Sequence, residues 1–233
     1  MPRITENART PPTTSKKVAP DYGRPASTLP KFSVKKFWDA DSTPPALAGL
    51  SRQVGAWAPK SGARTPQVEA GIAMASLMHD VAYYYGGSIA DKQRADKLFG
   101  DQIPYFVGKL NPGAVEAAKA TSLVDVAAVK AGGGVPFEES FSWSYGFEQS
   151  QRGFATLDGG ENQKIDKISR DTFKQVVNQI ANGTFKMSDV LKGKLAQASP
   201  AYQAEIKANM IKLAKELQQD LKSPAARKNI PGF

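Results

Sequence analysis

Residues 78–99 read MHDVAYYYGGSIADKQRADKLF, and this stretch decides the fold. It contains the single histidine of the chain, His79, followed directly by Asp80. The pair Gly86-Gly87 then separates an apolar segment from a more polar one. Since glycine readily adopts the left-handed conformation found just after helices, the sequence predicts two helices joined by a tight turn.

The first of these helices is predicted to start with Thr65 as N-cap and Pro66 at the first helical position, and to run to the glycine pair. Its apolar residues recur at three- and four-residue intervals. At about 3.6 residues per turn, His79 and Tyr83 lie one turn apart on the same face, whereas Asp80 points roughly 100° away. Two adjacent residues are thus suited to different tasks, one accepting a proton and the other holding a cation.

The second helix is predicted to begin after Ser88, with Asp91 at the third position in a capping-box pattern. Asp96 lies deeper in this helix. If the two helices pack antiparallel, the carboxylate of Asp96 can reach the imidazole of His79. There it would fix the tautomer of the ring and stabilise the imidazolium as it forms.

The motif His-Asp-x-x-Tyr at residues 79–83, followed by Ala-Asp-x-x-Phe at 95–99, resembles the phospholipase A2 superfamily. It looks closest to the cysteine-free prokaryotic and parvovirus-like branch, which includes the phospholipase domains of parvovirus capsid proteins. The resemblance covers roughly residues 50–110. It implies a helical phospholipase A2-like core and a calcium-dependent hydrolase that releases fatty acid from glycerophospholipids.

The resemblance also implies a role for each residue of the motif. His79 would activate a water molecule, Asp96 and Tyr83 would hold His79 in place, and Asp80 would bind Ca²⁺. Ca²⁺ takes several oxygen ligands, and the family supplies the rest of them from backbone carbonyls of a loop that precedes the histidine helix.

The stretch that matches this calcium loop is GAWAPKSGARTP, residues 55–66, and the loop ligands would come from around Trp57 and Gly62. It contains fewer glycines than the family pattern. This departure leaves an alternative open: a catalytically inactive, calcium-binding or partner-binding effector module that keeps the motif as a relic.

Composition limits the possible partners. The chain has 233 residues, no cysteine and a net charge of +9, which favours contact with an anionic surface. A phospholipid membrane surface is the expected partner, and no nucleic acid is expected, because no basic helix with interleaved aromatic residues stands out. No apolar run approaches about 18 residues, so we expect no membrane span.

The first residues of the chain lack an apolar core of the Sec type. If the protein is secreted or translocated, we therefore expect a route without a cleavable signal peptide, as for effectors of specialised bacterial secretion systems. A membrane-damaging toxin of this kind would act at a membrane surface, and its partners could include a secretion chaperone or an immunity protein.

The sequence predicts a mainly α protein in three parts: a disordered N-terminal tail (1–45), a phospholipase A2-like core (46–135) and a C-terminal region (136–233). A third helix should start at Asn111-Pro112 and run to Lys130. In the C-terminal region, an amphipathic helix should start at Ser199-Pro200 and run to about Leu221.

Residues 137–154 are rich in aromatic side chains. Phe141, Trp143, Tyr145 and Phe147 alternate with small residues, a period of two that predicts a small aromatic β element. The aromatic face would belong to the core or, alternatively, would form an interfacial surface that helps to lift a lipid out of a bilayer.

Residues 157–173 resemble a divergent EF-hand with a lengthened loop. Asp158, Asp166 and Asp171 would be its calcium ligands, although a lysine stands where the turn needs glycine. Otherwise Ser169 simply caps a helix that starts at Arg170.

Overall fold

The structure is a computed structural model that describes residues 64–132, 143–147, 152–185 and 199–233. Helix accounts for 79% of the described residues, with no strand among them, so the mainly α prediction is confirmed. Several predictions lie outside the described residues: the N-terminal tail at 1–45, Phe141, and the calcium loop with Trp57 and Gly62.

The helical elements, in chain order, are α1 (Pro66–Tyr85), α2 (Ile89–Leu110), a 3₁₀ turn (Pro112–Ala114), α3 (Val115–Gly132), α4 (Gly159–Ala181), α5 (Pro200–Lys222) and α6 (Pro224–Arg227). None of these described helices is long and apolar enough to cross a membrane.

The predicted helix starts at Thr65, Ser88, Asn111 and Ser199 are confirmed. Thr65 caps α1, with Pro66 at its first position, and Ser88 and Asp91 form a reciprocal capping box at the start of α2. Asn111 caps the 3₁₀ turn that leads into α3. Ser199 caps α5. Each cap satisfies backbone N–H groups that the first turn of a helix leaves without a partner.

Helix α1 is the central element, since it packs against α2, α4 and α5. Gly71 allows α1 and α2 to approach closely, because a Cβ atom there would lie 2.5 Å from Cγ2 of Val107. The largest side chains of the main core are the following: Met74, Phe99, Ile103, Phe106, Phe173, Ile180, Ile206 and Leu213. Burial of this apolar surface is the dominant stabilising term in a described part that contains no disulfide.

The small aromatic β element is not observed in the described part of 137–154. Residues 143–147 form turns, and the only pairing there is an isolated bridge between Gly87 and Phe154. The backbone N–H groups of Ser144 and Gly146 donate to the carbonyls of Tyr83 and Tyr84 at 2.7 and 2.9 Å. These carbonyls belong to the last turn of α1, so the segment caps a helix instead of extending a sheet.

The interfacial interpretation of this segment is wrong for its described aromatic residues. Trp143, Tyr145 and Phe147 are all buried. Trp143 and Tyr145 pack in a second cluster with the end of α1 and with Ile165 of α4. The alternative prediction, that the aromatic face belongs to the core, is confirmed for these residues.

The prediction of an EF-hand-like loop at residues 157–173 is also wrong. Helix α4 begins at Gly159, eleven residues before the predicted start at Arg170, so residues proposed as loop ligands lie on a helix. The reason is a capping box in which the side chain of Asp158 accepts from the N–H of Glu161, and the side chain of Glu161 accepts from the N–H of Asp158. Asp158 therefore starts a helix instead of a calcium loop.

Candidate active site

The site is built on two adjacent helices. His79 lies near the end of α1, and Asp96 lies in the second turn of α2. Nε2 of His79 is 3.3 Å from Oδ1 of Asp96, and both side chains are buried. The predicted contact between these two residues is thus confirmed.

Asp96 receives two further hydrogen bonds. The Tyr83 hydroxyl donates to its Oδ1 at 2.7 Å, and the Lys92 ammonium donates to its Oδ2 at 3.0 Å. Lys92 also lies over the ring of Tyr83, 5.2 Å from the ring centre. Both oxygens of Asp96 therefore have fixed donors, which hold the carboxylate in one orientation against His79.

Asp80 contacts the other ring nitrogen. Its Oδ1 lies 3.2 Å from Nδ1 of His79, and its side chain is fully buried. Each nitrogen of His79 therefore faces a carboxylate, which suits an imidazolium that donates from both nitrogens. The cluster of His79, Asp80, Asp96 and Lys92 then has two positive and two negative charges.

The pKa values follow from these contacts. Burial opposes protonation of His79, but its hydrogen bonds with Asp80 and Asp96 outweigh burial and raise the pKa of His79 above its ordinary value. Burial likewise opposes ionisation of Asp96, yet His79 and Lys92 hold the pKa of Asp96 below its ordinary value. Burial and the nearby Asp96 raise the pKa of Tyr83, so its hydroxyl remains a neutral donor.

The segment 143–147 forms one wall of the site. The Tyr145 hydroxyl donates to the backbone carbonyl of Asp80 at 3.1 Å, and the Trp143 indole N–H donates to the carbonyl of Gly87 at 2.9 Å. The Trp143 ring meets the Tyr83 ring edge-on at 4.9 Å. These contacts fix the end of α1, and with it the backbone that carries His79.

A cavity of about 310 Å³ lies between α1, α2, α4 and the 143–147 segment, and His79 is part of its wall. Its size falls at the lower end of the range for small-molecule sites. The apolar part of the lining consists of Met78, Ala82, Ala95, Leu98, Trp143 and Ile165. The charged part consists of Asp91, Arg94, Lys97, Asp101, Asp166 and Arg170.

The described residues do not form a calcium site by themselves. No group of three or more acidic or histidine side chains in the described ranges is arranged to hold a metal. Asp80 supplies a single carboxylate, which is turned toward His79, whereas Ca²⁺ takes about six to eight oxygens. The carbonyls predicted near Trp57 and Gly62 lie outside the described residues.

The three aspartates predicted as secondary calcium ligands do not come together. Asp158 caps α4. Asp171 pairs with Lys167 and Lys174 on the same helix, and Asp166 lies 3.9 Å from Arg94 of α2. The hydrogen bond from Lys167 lowers the pKa of Asp171. Asp158 and Asp171 therefore have partners within α4, and the partner of Asp166 belongs to α2.

Sequence reasoning missed Lys92 and Tyr145. Lys92 stands four residues before Asp96 on a helix, a spacing typical of ion pairs, so the signal was present in the sequence. Tyr145 comes from a distant segment, and no local pattern places its hydroxyl against Asp80. Comparisons of the chain with protein-family models, with curated proteins and with solved structures found no match.

Proposed function

We propose that this protein is a phospholipase A2-like ester hydrolase that releases a fatty acid from glycerophospholipids at a membrane surface. The observation that carries the proposal is the buried pair of His79 and Asp96, whose histidine also lines a cavity with an apolar wall. A histidine held by a carboxylate is suited to general base catalysis. The apolar part of the cavity lining suits a substrate with acyl chains.

In the proposed reaction, His79 takes a proton from a water molecule, and that water attacks the carbonyl carbon of the ester. Asp96 holds Nε2–H of His79, so Nδ1 is the nitrogen that accepts the proton. Because Nδ1 faces Asp80 at 3.2 Å, the Asp80 side chain must turn aside for a water to enter. Collapse of the tetrahedral intermediate returns the proton to the leaving alcohol, giving a fatty acid and a lysophospholipid.

A calcium requirement remains a prediction. When bound, Ca²⁺ would polarise the ester carbonyl. Asp80 could serve it only together with oxygens from outside the described residues, such as those predicted near Trp57 and Gly62. Activity with Ca²⁺ against activity with chelator tests this requirement directly.

The base must be neutral before it accepts a proton. Since the pKa of His79 lies above its ordinary value of about 6.5, the rate should rise as the pH increases through a midpoint above that value. A rate that is constant or falls over this range would argue against His79 as the base.

The decisive variant is His79→Ala. We expect fatty-acid release from mixed anionic phospholipid vesicles to fall by about 100- to 10,000-fold, the usual contribution of a general base. The variant should keep its helical circular dichroism. Lys164→Ala is the matched control, since Lys164 is exposed on α4 and outside the cavity. Full turnover by His79→Ala would refute the proposal.

One observation favours a second candidate, the catalytically inactive calcium-binding or partner-binding effector module. His79 is only 2% exposed, and both of its ring nitrogens already face carboxylates, as in a purely structural ion cluster. Calcium binding without ester cleavage, or a biological effect that survives in a His79→Ala, Asp96→Asn double variant, would favour this candidate.

The proposed setting follows from the function. A phospholipase that leaves its cell without a cleavable signal peptide would serve as a membrane-damaging effector, and its producer would then need an immunity protein or a secretion chaperone. Co-purification of such a protein with the full chain from its source cells tests this part separately from the chemistry.

A further inference from the structure

The charged residues that line the cavity differ in whether they have partners. Arg94 donates to Asn162 at 3.3 Å and lies 3.4 Å from a carboxylate oxygen of Asp91, while Lys97 pairs with Asp101. Arg170 lines the same cavity, is partly buried, and has no hydrogen-bond or ion-pair partner among the residues that the structure describes. It is therefore the cavity cation that remains available to a ligand.

The position of Arg170 adds to this argument. It lies on α4, whereas His79 lies on α1, so the two residues belong to different walls of one cavity. Apolar side chains such as Leu98 and Ile165 make up much of the remaining lining. A guanidinium presents a planar set of N–H donors that matches a phosphate, and the match is strongest where water is partly excluded.

From this position in the cavity we infer that Arg170 is its phosphate-binding residue. The cavity would then accept an amphiphile with one phosphate and short or partly inserted acyl chains. This assignment rests on the proposed function, because it identifies the headgroup subsite for the same substrate. In a glycerophospholipid, the phosphate and the acyl esters are attached to one glycerol. A phosphate held at Arg170 would therefore keep an ester within the cavity that His79 lines.

The test is equilibrium binding by isothermal titration calorimetry with the full chain. The probe is di-O-hexyl glycerophosphocholine below its micelle-forming concentration, whose ether bonds cannot be hydrolysed. Di-O-hexylglycerol has the same chains without the phosphate, and inorganic phosphate is the anion alone. Binding is thus measured independently of turnover.

We expect Arg170→Gln to weaken binding of the ether phospholipid by about 10- to 100-fold, the range for losing a charge-assisted hydrogen bond. Binding of di-O-hexylglycerol should change by less than about twofold. Arg170→Lys should recover part of the lost affinity, because it restores the charge without the planar donors. Lys164→Gln makes the same change of charge on an exposed residue of the same helix and should have no effect.

Four results would overturn the inference. They are unchanged phospholipid binding by Arg170→Gln, an equal loss with Lys164→Gln, an equal loss for di-O-hexylglycerol, and inorganic phosphate binding as tightly as the ether phospholipid. The last would identify the ligand as a free phosphate instead of a lipid headgroup. Because no ester is cleaved in these measurements, failure here leaves the proposed role of His79 standing, and failure of hydrolysis leaves the binding result standing.

Discussion

At the scale of single residues, the site is a buried cluster whose charges compensate each other. Asp96 faces His79 on one oxygen and Lys92 on the other, and Asp80 faces the second ring nitrogen. Buried charges are tolerated when they are paired and hydrogen-bonded. Removing one member therefore changes the titration of the others, and this makes the role of each residue measurable.

Lys92 is expected to act on His79 through Asp96. In Lys92→Met, the loss of a buried positive charge should favour protonation of His79, so the acidic limb of the rate profile should move to higher pH by up to about one unit. The measurement is fatty-acid release as a function of pH. A purely structural role would lower the rate at every pH and leave the midpoint in place.

Lys119→Met serves as the control for this prediction. Lys119 is an exposed residue of α3 that pairs with Glu116, so its removal changes the net charge equally but leaves the cluster intact. A shift of the same size in Lys119→Met would mean that net charge, and not the contact with Asp96, sets the titration.

The sequence predicted part of this cluster. Helix periodicity placed His79 and Tyr83 on one face, and antiparallel packing brought Asp96 to them, as the structure confirms. The contact between Asp80 and His79 was not predicted, because directions 100° apart at the backbone do not determine where the ends of two side chains lie. Rotations about χ1 and χ2 bring these ends together.

At the scale of elements, the contact between α1 and the 143–147 segment determines where α1, the helix that carries His79, ends. Gly86 has φ +70°, and a Cβ atom on it would lie 2.5 Å from Cβ of Ser144. Glycine is required there both for the positive φ and for the close approach of the two backbones.

Gly86→Ala should therefore lower the free energy of unfolding by about 1–3 kcal/mol, as measured by urea denaturation. Gly159→Ala is the matched control, since nothing lies within 4 Å of a Cβ atom at that position of α4. It should be neutral or stabilising by up to about 1 kcal/mol. Equal destabilisation by both substitutions would contradict the role of the close contact between Gly86 and Ser144.

Helix N-caps in the sequence predict the starts of helices correctly. Prediction fails where one sequence pattern fits two different structures. Thr65 and Ser88 mark real helix starts. Alternation at 143–147 predicts a strand, but both sets of side chains in that segment are buried in a turn. The residues of the capping box, Asp158 and Glu161, are also visible in the sequence. The resemblance to an EF-hand loop favours a different role for Asp158, as a calcium ligand. Hydrogen bonds from residues 143–147 to the end of α1 are long-range, and no local pattern encodes them.

At the scale of the whole molecule, a second buried ionic cluster is expected to make stability depend on pH. Glu69 of α1 is 1% exposed, and its Oε1 lies 3.8 Å from Arg64, which pairs with Asp125 of α3. Burial raises the pKa of Glu69 to about 7, an effect that Arg64 reduces and Asp125 reinforces. The protonated, neutral form of Glu69 is therefore favoured by the folded state.

A pKa raised on folding contributes stability below the unfolded value, and this contribution is lost as the pH rises through the folded value. For Glu69 the window runs from about 4.5 to about 7. The raised pKa of His79 acts in the same direction from about 6.5 upward. The free energy of unfolding of the wild type should therefore fall between pH 5 and pH 8, while hydrolysis rises over the upper part of this range.

Glu69→Gln isolates the contribution of the second cluster. The uncharged amide has nearly the same size, so the variant should resemble wild type at pH 5 and be more stable by a few kcal/mol at pH 8. Urea denaturation at the two pH values measures this difference. A wild type and a Glu69→Gln variant with parallel pH dependence would show that Glu69 is ionised throughout.

The central claim is that the His79 cluster cleaves the acyl ester of a glycerophospholipid. The most direct measurement is mass spectrometry of the products formed from vesicles of one phospholipid with two different acyl chains, with wild type and His79→Ala side by side. We predict equal amounts of one free fatty acid and its lysophospholipid with wild type, and intact lipid with His79→Ala. Intact lipid with both folded proteins, or products that require cleavage at the phosphate, would contradict the claim.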